Sequence, residues 1–253
     1  MAAEPRREAH AVWPFGQAGT VVGVLDADAP VPSFAVGEGY AAYRGPAIDV
    51  IAHRHAAFQV AIAVRGTVAI VDAAGTGHRG VALAVAPMAR HRMLAGTDLL
   101  TFFVEPHCAF ADRLRERHGD GVTAAAELRG LTEAELGPGG PSRTLDPRLV
   151  AAMDAVAAPG TSLPDVAARV GLSPPRLRAL ARRQLGMPLP RWRAWVRLRV
   201  AAEALREGRS IADAAITGGF ADQAHLTRWM REMMGLTPAV ALPALRGQAR
   251  RAT

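Results

Sequence analysis

Two stretches decide the architecture: Ser162-Leu-Pro-Asp165-Val-Ala-Ala-Arg-Val-Gly171-Leu-Ser173, and Ser210-Ile-Ala-Asp213-Ala-Ala-Ile-Thr-Gly-Gly219-Phe220. In each, a serine and an aspartate three residues on can cap and open a helix. In each, a glycine nine residues after that serine suits the left-handed turn that ends a two-turn helix. A second helical pattern follows at once, to Gly186 in the first case and Gly235 in the second. Short helix, glycine turn and second helix is the helix-turn-helix plan. One copy is a weak signal, since antiparallel helix pairs are common; two copies 48 residues apart are a strong one. Between them, Leu189 to Glu207 reads as one long helix of about 28 Å. That approaches the roughly 34 Å between successive major-groove faces of a duplex. Trp192 and Trp195 on this helix are expected to be core residues.

Charge divides the chain at the same place. Of the net +7, residues 1–145 contribute −2 (13 Arg, 15 acids) and residues 146–253 contribute +9 (17 Arg, 8 acids). A compact region at +9 is the electrostatic footprint of a polyanion partner. All 30 basic residues are arginine, a compositional bias, so arginine preference says nothing about bidentate recognition. The breaker cluster Gly137-Pro138-Gly139-Gly140-Pro141-Ser142 marks a boundary. The expected organisation is a first domain over 1–136, a linker over 137–146 and a DNA-binding domain over 147–253.

The first part alternates short runs rich in Val, Ile and Phe with turn residues. Strands are expected over 21–26, 47–55, 58–64, 67–72, 80–86 and 98–104, which suggests a sandwich or barrel. Helical patterns over 109–118 and 124–136 close the domain, so the fold class is α+β in two domains. Leu114, Arg117, Leu128 and Leu131 form an amphipathic surface that suits either a second copy or the domain's own barrel. Along 58–65 one face carries Phe58, Val60, Ile62 and Val64, the other Gln59, Ala61, Ala63 and Arg65. Which face points inward is open at this stage. Tyr40, Tyr43, Phe102 and Phe103 are core residues first and pocket walls second. His78 and His107 are expected in loops, without a role.

Other classes recede. No apolar run reaches the roughly 18 residues of a membrane span. The opening MAAEPRREAH lacks an apolar stretch, so the expected address is the cytoplasm. The lone Cys108 excludes an intrachain disulfide. No nucleotide-binding glycine loop, Ser/His/Asp set or paired acids offers a catalytic residue.

Gly219-Phe220-Ala-Asp-Gln-Ala-His225-Leu-Thr-Arg228-Trp-Met-Arg-Glu-Met-Met-Gly235-Leu-Thr-Pro238 closely resembles the signature of the AraC/XylS transcription regulators. The resemblance covers about 147–245 and implies two helix-turn-helix units on consecutive major-groove segments of promoter DNA. It places Gln223, Ala224, His225 and Arg228 near bases or backbone. In the first unit Pro175, Arg178 and Ala179 fall at base-facing positions, with Arg176, Arg182 and Arg183 toward phosphates. The family commonly has arginine at the position of Ala179 and a core phenylalanine at that of Ala181, which implies weaker direct readout and looser packing here. The family further implies a small-molecule effector, a homodimer and contact with RNA polymerase.

His53-Arg-His55, Gln59, Gly66 and Pro87-Met-Ala-Arg-His91 resemble the small cupin barrel carried by many such regulators. In cupin enzymes these positions hold a divalent metal, and alternate strand residues such as His53 and His55 share a face. Gln59 replaces a carboxylate and adds no negative charge. A metal site, a ligand pocket using His53, His55 and His91 as hydrogen-bonding groups, and ordinary structural histidines are all open readings. No cofactor is required by the regulator reading. The rival from another class is a metal-dependent cupin enzyme with a DNA-binding appendage.

Overall fold

The computed structural model describes residues 32–96, 98–137, 140–158 and 160–246. The expected strand over 21–26 and the Pro138-Gly139 part of the breaker cluster lie outside them. The first domain is built from β1 (Ser33–Gly37), β2 (Tyr40–Pro46), β3 (Phe58–Ala63), β4 (Val68–Asp72), β5 (Gly77–Gly80), β6 (Ala82–Val85), β7 (His91–Met93), β8 (Asp98–Val104) and β9 (Val122–Ala124). They form two antiparallel sheets, ordered β1-β2-β8-β3-β6-β9 and β5-β4-β7.

Strand β3 settles the open orientation. Ala61 and Ala63 turn inward with Leu83, Val85 and Leu99, against Val68, Ile70 and Met93 of the smaller sheet. Phe58, Val60 and Ile62 turn outward and pack on Phe110 and Leu114 of helix α1 (Ala109–Arg117). Both faces of β3 are therefore buried, and the small residues take the side that must leave room.

Three expectations need correction. Residues 47–55 are no strand: only His53 makes an isolated bridge, to His91, and the Ile51 and Arg54 amides are taken by the end of the helix Gln223–Met234 while Ala47, Val50 and His55 bond within the barrel domain. The run 80–86 breaks after Gly80, so β5 and β6 belong to different sheets. Residues 124–136 are not one helix. Val122–Ala124 pair with β6 at the sheet edge, a 3₁₀ turn covers Ala126–Leu128, and the short helix α2 (Glu133–Leu136) opens with a Thr132/Glu135 capping box. This irregular path turns Leu128 and Leu131 onto the same apolar cluster as Leu114. The leucine surface offered for a second copy is thus spent on the chain's own barrel, which is where its burial is gained.

The linker is fastened down. Asp112 accepts hydrogen bonds from the Ser142 and Thr144 hydroxyls and the Arg143 amide, at 2.5, 2.7 and 2.7 Å. Asp146 then caps α3 (Pro147–Ala157), accepting from the Arg148 amide. There follow α4 (Leu163–Arg169), α5 (Pro174–Leu185), α6 (Leu189–Arg206), α7 (Ile211–Thr217), α8 (Gln223–Met234) and α9 (Pro238–Arg246). Trp192 and Trp195 are buried, as core residues should be. Trp192 also donates its indole N–H to the Met153 carbonyl at 3.1 Å. Among the described residues no helix is long and apolar enough to cross a membrane.

The two domains share one core. Ala41, Ala56, Ala57 and Phe103 of the β-rich domain cluster with Trp195 and Leu198 of α6. At its edge the buried carboxylate of Glu105 accepts from Trp195 Nε1 at 2.9 Å and from Arg199 at 2.8 Å. Removing that carboxylate leaves a guanidinium and an indole N–H without a partner in a low-dielectric seam. Glu105→Ala is expected to cost about 3 kcal/mol in urea unfolding, and Glu105→Gln, which keeps an acceptor, clearly less.

Candidate DNA interface and effector site

Each helix-turn-helix unit is built as its sequence proposes. Ser162 accepts from the Asp165 amide at 3.3 Å and Ser210 from the Asp213 amide at 3.1 Å. Gly171 and Gly219 take the left-handed conformation at the two turns, with φ +66° and +76°. In the first unit Leu177, Leu180, Ala181 and Leu185 face the core, while Pro175, Arg176, Arg178, Ala179, Arg182 and Arg183 are exposed. Ala181 is fully buried in the position where an aromatic residue was anticipated. In the second unit Leu226, Met230 and Met233 are buried, and Gln223, Ala224 and Arg228 are exposed. His225 is placed differently. Its ring lies edge-on to Phe220, within 3.0 Å of Trp229 Nε1 and 3.2 Å of the Ala221 amide. A neutral imidazole has one lone pair, so it accepts from one of these donors at a time. Either way the ring is turned back on its own unit.

The histidines of the first domain converge although His53 and His55 do not share a regular strand. His53, His55 and His91 are buried, and their candidate ligand atoms lie within 4.8 Å of one another. Each ring places Nδ1 on a backbone carbonyl: His53 on Ile51 at 2.9 Å, His55 on Ala57 at 2.8 Å, His91 on Ala89 at 3.0 Å. A carbonyl only accepts, so Nδ1 carries the proton and each Nε2 is left as a lone pair. Nε2 of His55 and of His91 both lie 2.9 Å from the Gln59 side-chain oxygen. Lone pairs facing an oxygen repel. The contact is favourable when the amide turns its NH₂ to the rings, or when a cation sits among the four groups.

Burial drives all three imidazoles toward the neutral form. His53 is lowered to about 4, by burial first and then by the neighbouring His55 and Arg90 charges. His91 is lowered to about 2 by burial and by the other two rings. His55 is lowered too, chiefly by burial.

Beside this cluster lies a cavity of about 200 Å³. Its barrel wall includes Tyr43, Leu99 and Phe103; Trp195 and Leu198 of α6 and Met230 and Met234 of α8 face them. His53 and Gln59 also line it, so cluster and cavity share a wall. Thr101 lines it as well, and its hydroxyl is buried without a hydrogen-bond partner. Of the four aromatic residues considered as walls, Tyr43 and Phe103 serve. Tyr40 instead donates to Glu133, and Phe102 packs toward α1. Thr101 and the two methionines were not legible in the sequence, because no spacing announces which helix face meets a barrel. His78, expected in a loop, lies on β5 and pairs with Asp72 at the end of β4, and His107 stands by Glu105 and Trp192.

Residues 166–242 match a helix-turn-helix domain family. No curated protein matches the chain. Among solved structures, the chain is similar to ToxT from Vibrio cholerae O395, with a TM-score of 0.54 at 10% identity over 83% of this chain and 100% of that one. ToxT from strain SCE256, solved with an unsaturated fatty acid bound, aligns with a TM-score of 0.56 at 11% identity over 84% and 99%. An AraC-type DNA-binding regulator from Chromobacterium violaceum aligns at 25% identity and TM-score 0.36, over 40% of this chain and 93% of its own. The ToxT likeness is one of fold: a β-rich domain followed by a helical one.

Because the imidazoles are held neutral when folded and titrate near 6.5 when unfolded, the unfolded chain binds more protons below that pH. Stability is therefore expected to be level above about pH 6.5 and to fall between 6.5 and 4, by about 1.4 kcal/mol per pH unit for each ring so held. Urea unfolding at pH 7 and pH 5 measures this. The double variant His53→Gln/His91→Gln should show a flatter dependence.

Proposed function

On the premise that this chain is a DNA-binding transcription regulator with an AraC-type helix-turn-helix domain at residues 166–242, we propose that a small apolar molecule in the interdomain cavity controls it. The observation that carries this reading is the composition of the cavity wall. One side belongs to the β-rich domain and the other to α6, α8 and α9. A ligand shifts an equilibrium only by its differential affinity for the two states. An occupant touching both domains has such a difference built in, because any change in their relative placement changes its contacts. The unsaturated fatty acid bound in the ToxT structure supports an apolar occupant.

Promoter duplex is the DNA partner in this reading. Gln223, Ala224 and Arg228 of α8, and Pro175 and Arg178 of α5, approach base edges. Arg176 and Arg182 face phosphates, which fix register without specifying sequence. His225 supports the second recognition helix from within. A homodimer, contact with RNA polymerase and a cytoplasmic address complete the reading.

The convergence of His53, His55 and His91, with the Nε2 lone pairs of His55 and His91 on the Gln59 amide, favours a second occupant, a divalent transition-metal ion. Imidazole suits zinc, iron, nickel and copper, and the Nδ1–carbonyl bonds supply the orienting contacts that metal-binding histidines use. The neutral amide of Gln59 leaves the ion's charge uncompensated, so affinity rests on the three rings. His53, His55 and His91 would hold the ion, which when bound supplies an electrophilic centre at the cavity wall. Dialysis against zinc followed by elemental analysis should give one equivalent, lost in His53→Ala and in His91→Ala; no zinc in the wild type removes this occupant.

Purified protein is expected to enrich a few genomic duplex fragments over bulk DNA by about 10³ or more. Arg228→Ala should weaken binding about tenfold or more. An unsaturated fatty acid should shift affinity for those fragments in the wild type. It should not do so in Ala202→Phe, which fills the cavity from α6. Uniform recovery of all DNA would overturn specific regulation, and an unresponsive wild type would overturn control by this class of ligand.

A further inference from the structure

The segment Val50–His55 faces two ways. Toward the barrel it carries His53 and His55, and the His53 backbone exchanges both hydrogen bonds with His91, at 2.9 and 3.0 Å. Toward the helical domain it meets the end of α8. The Ile51 amide donates to the Gly235 carbonyl at 3.2 Å and the Arg54 amide to the Glu232 carbonyl at 3.4 Å. The last carbonyls of a helix have no partner within it, and here the histidine-bearing loop supplies two. Arg191 of α6 closes the arrangement. Its guanidinium, only 7% exposed, pairs with the Glu232 carboxylate and donates to the Arg54 carbonyl at 2.6 Å. The Arg191 guanidinium carbon also lies 5.6 Å from the centre of the Trp229 ring.

Gly235 shows how close this contact is. It has φ +71°, and a Cβ there would stand 2.6 Å from the Ile51 carbonyl oxygen and 2.8 Å from His53 Nδ1. Gly186, the equivalent residue after the first recognition helix, has φ +68° with nothing within 4 Å of its would-be Cβ. The first glycine of this pair serves a turn alone. The second serves a turn and a close approach to a histidine of the cluster.

We infer that a divalent transition-metal ion bound by His53, His55 and His91 sets the position of the second recognition helix through the loop Val50–His55, an inference that rests on the cation reading above. An ion joins two ligands on the loop to one on β7. It thereby holds the loop in the conformation whose Ile51 and Arg54 amides grip α8. Without it, the loop itself is held less firmly, so the grip that the Ile51 and Arg54 amides and the Arg191 bridge exert on α8 has a looser anchor, and α8 is freer to move against the barrel. The first recognition helix, whose terminal glycine stands in open space, is not held in this way. By linkage, DNA engaging α8 changes ion affinity by the same factor as the ion changes DNA affinity.

Hydrogen exchange read by mass spectrometry on the full chain, with and without zinc, tests this. In the wild type, zinc is expected to slow exchange about tenfold or more over residues 50–57 and 226–236, with little change over 177–186 of α5. In Arg191→Met, which binds the same one equivalent of zinc, slowing should persist over 50–57 and vanish over 226–236. Slowing confined to the loop and residues 88–93 in the wild type overturns the coupling. Equal slowing of α5 and α8 overturns it too, since that is general stabilisation. So does slowing of α8 that survives Arg191→Met. If the wild type binds no zinc, the cation reading itself fails and this inference with it. Zinc bound while α8 stays unchanged removes the coupling alone.

Discussion

A carboxylate with almost no access to water, Glu105, stands where the β-rich domain meets the helical one, and the rest of the structure is arranged around keeping it paired. It lies just beyond β8, and its partners Trp195 and Arg199 are one turn apart on α6. A buried carboxylate is tolerated only when its charge and lone pairs are answered. This places α6 at a definite height against the barrel. Because α6 also joins the two helix-turn-helix units, anchoring it orients both of them relative to the sheets. The apolar contacts of Phe103, Ala56 and Ala57 then extend the dock into a single core.

The space beside that dock follows from strand β3. Its inward residues are small, Ala61 and Ala63, and polar at one point, Gln59. Bulky Phe58, Val60 and Ile62 are sent to the other face, where α1 covers them. An interior lined this way cannot close on itself, and the helical domain completes the wall with Trp195, Met230 and Met234. The polar groups among the lining residues are few: His53, Gln59, Thr101, Tyr43 and Arg199. A mostly apolar enclosure with a few placed polar groups is how small-molecule sites are commonly built. The neutral imidazoles at and behind its wall follow from their burial.

The second helix-turn-helix unit is bound to the barrel in a way the first is not. Its terminal carbonyls are taken by amides of the loop that also presents two histidines, and its closing glycine admits that loop at contact distance. The DNA-reading surface and the interior chemistry are thus a few ångströms of backbone apart. No long chain of contacts is needed to connect them.

Much of the helical half was legible because its signals are local. Ser162 and Ser210 cap the next turn, Gly171 and Gly219 supply the left-handed turn, and apolar residues recur at helical spacing, so residues within one turn of one another determine the outcome. The resemblance of His53, His55, Gln59 and His91 to a cupin set likewise pointed to a cluster, although the strand expected to align His53 with His55 did not form. What sequence alone left open depended on partners distant in the chain. The inward face of β3 was decided by which side the smaller sheet and α1 came to occupy. The stretch 47–55, apolar enough for a strand, divides its backbone hydrogen bonds between the barrel and the end of α8. Residues 124–136, helical in pattern, gave Ala124 to a sheet edge and broke into a 3₁₀ turn and a short helix, and their leucines went to the barrel. In the helical half, side-chain spacing determined each element and the faces it had to bury. Tertiary packing alone decided what covered those faces, because hydrophobic burial has no direction of its own and takes whichever surface the folded chain brings near.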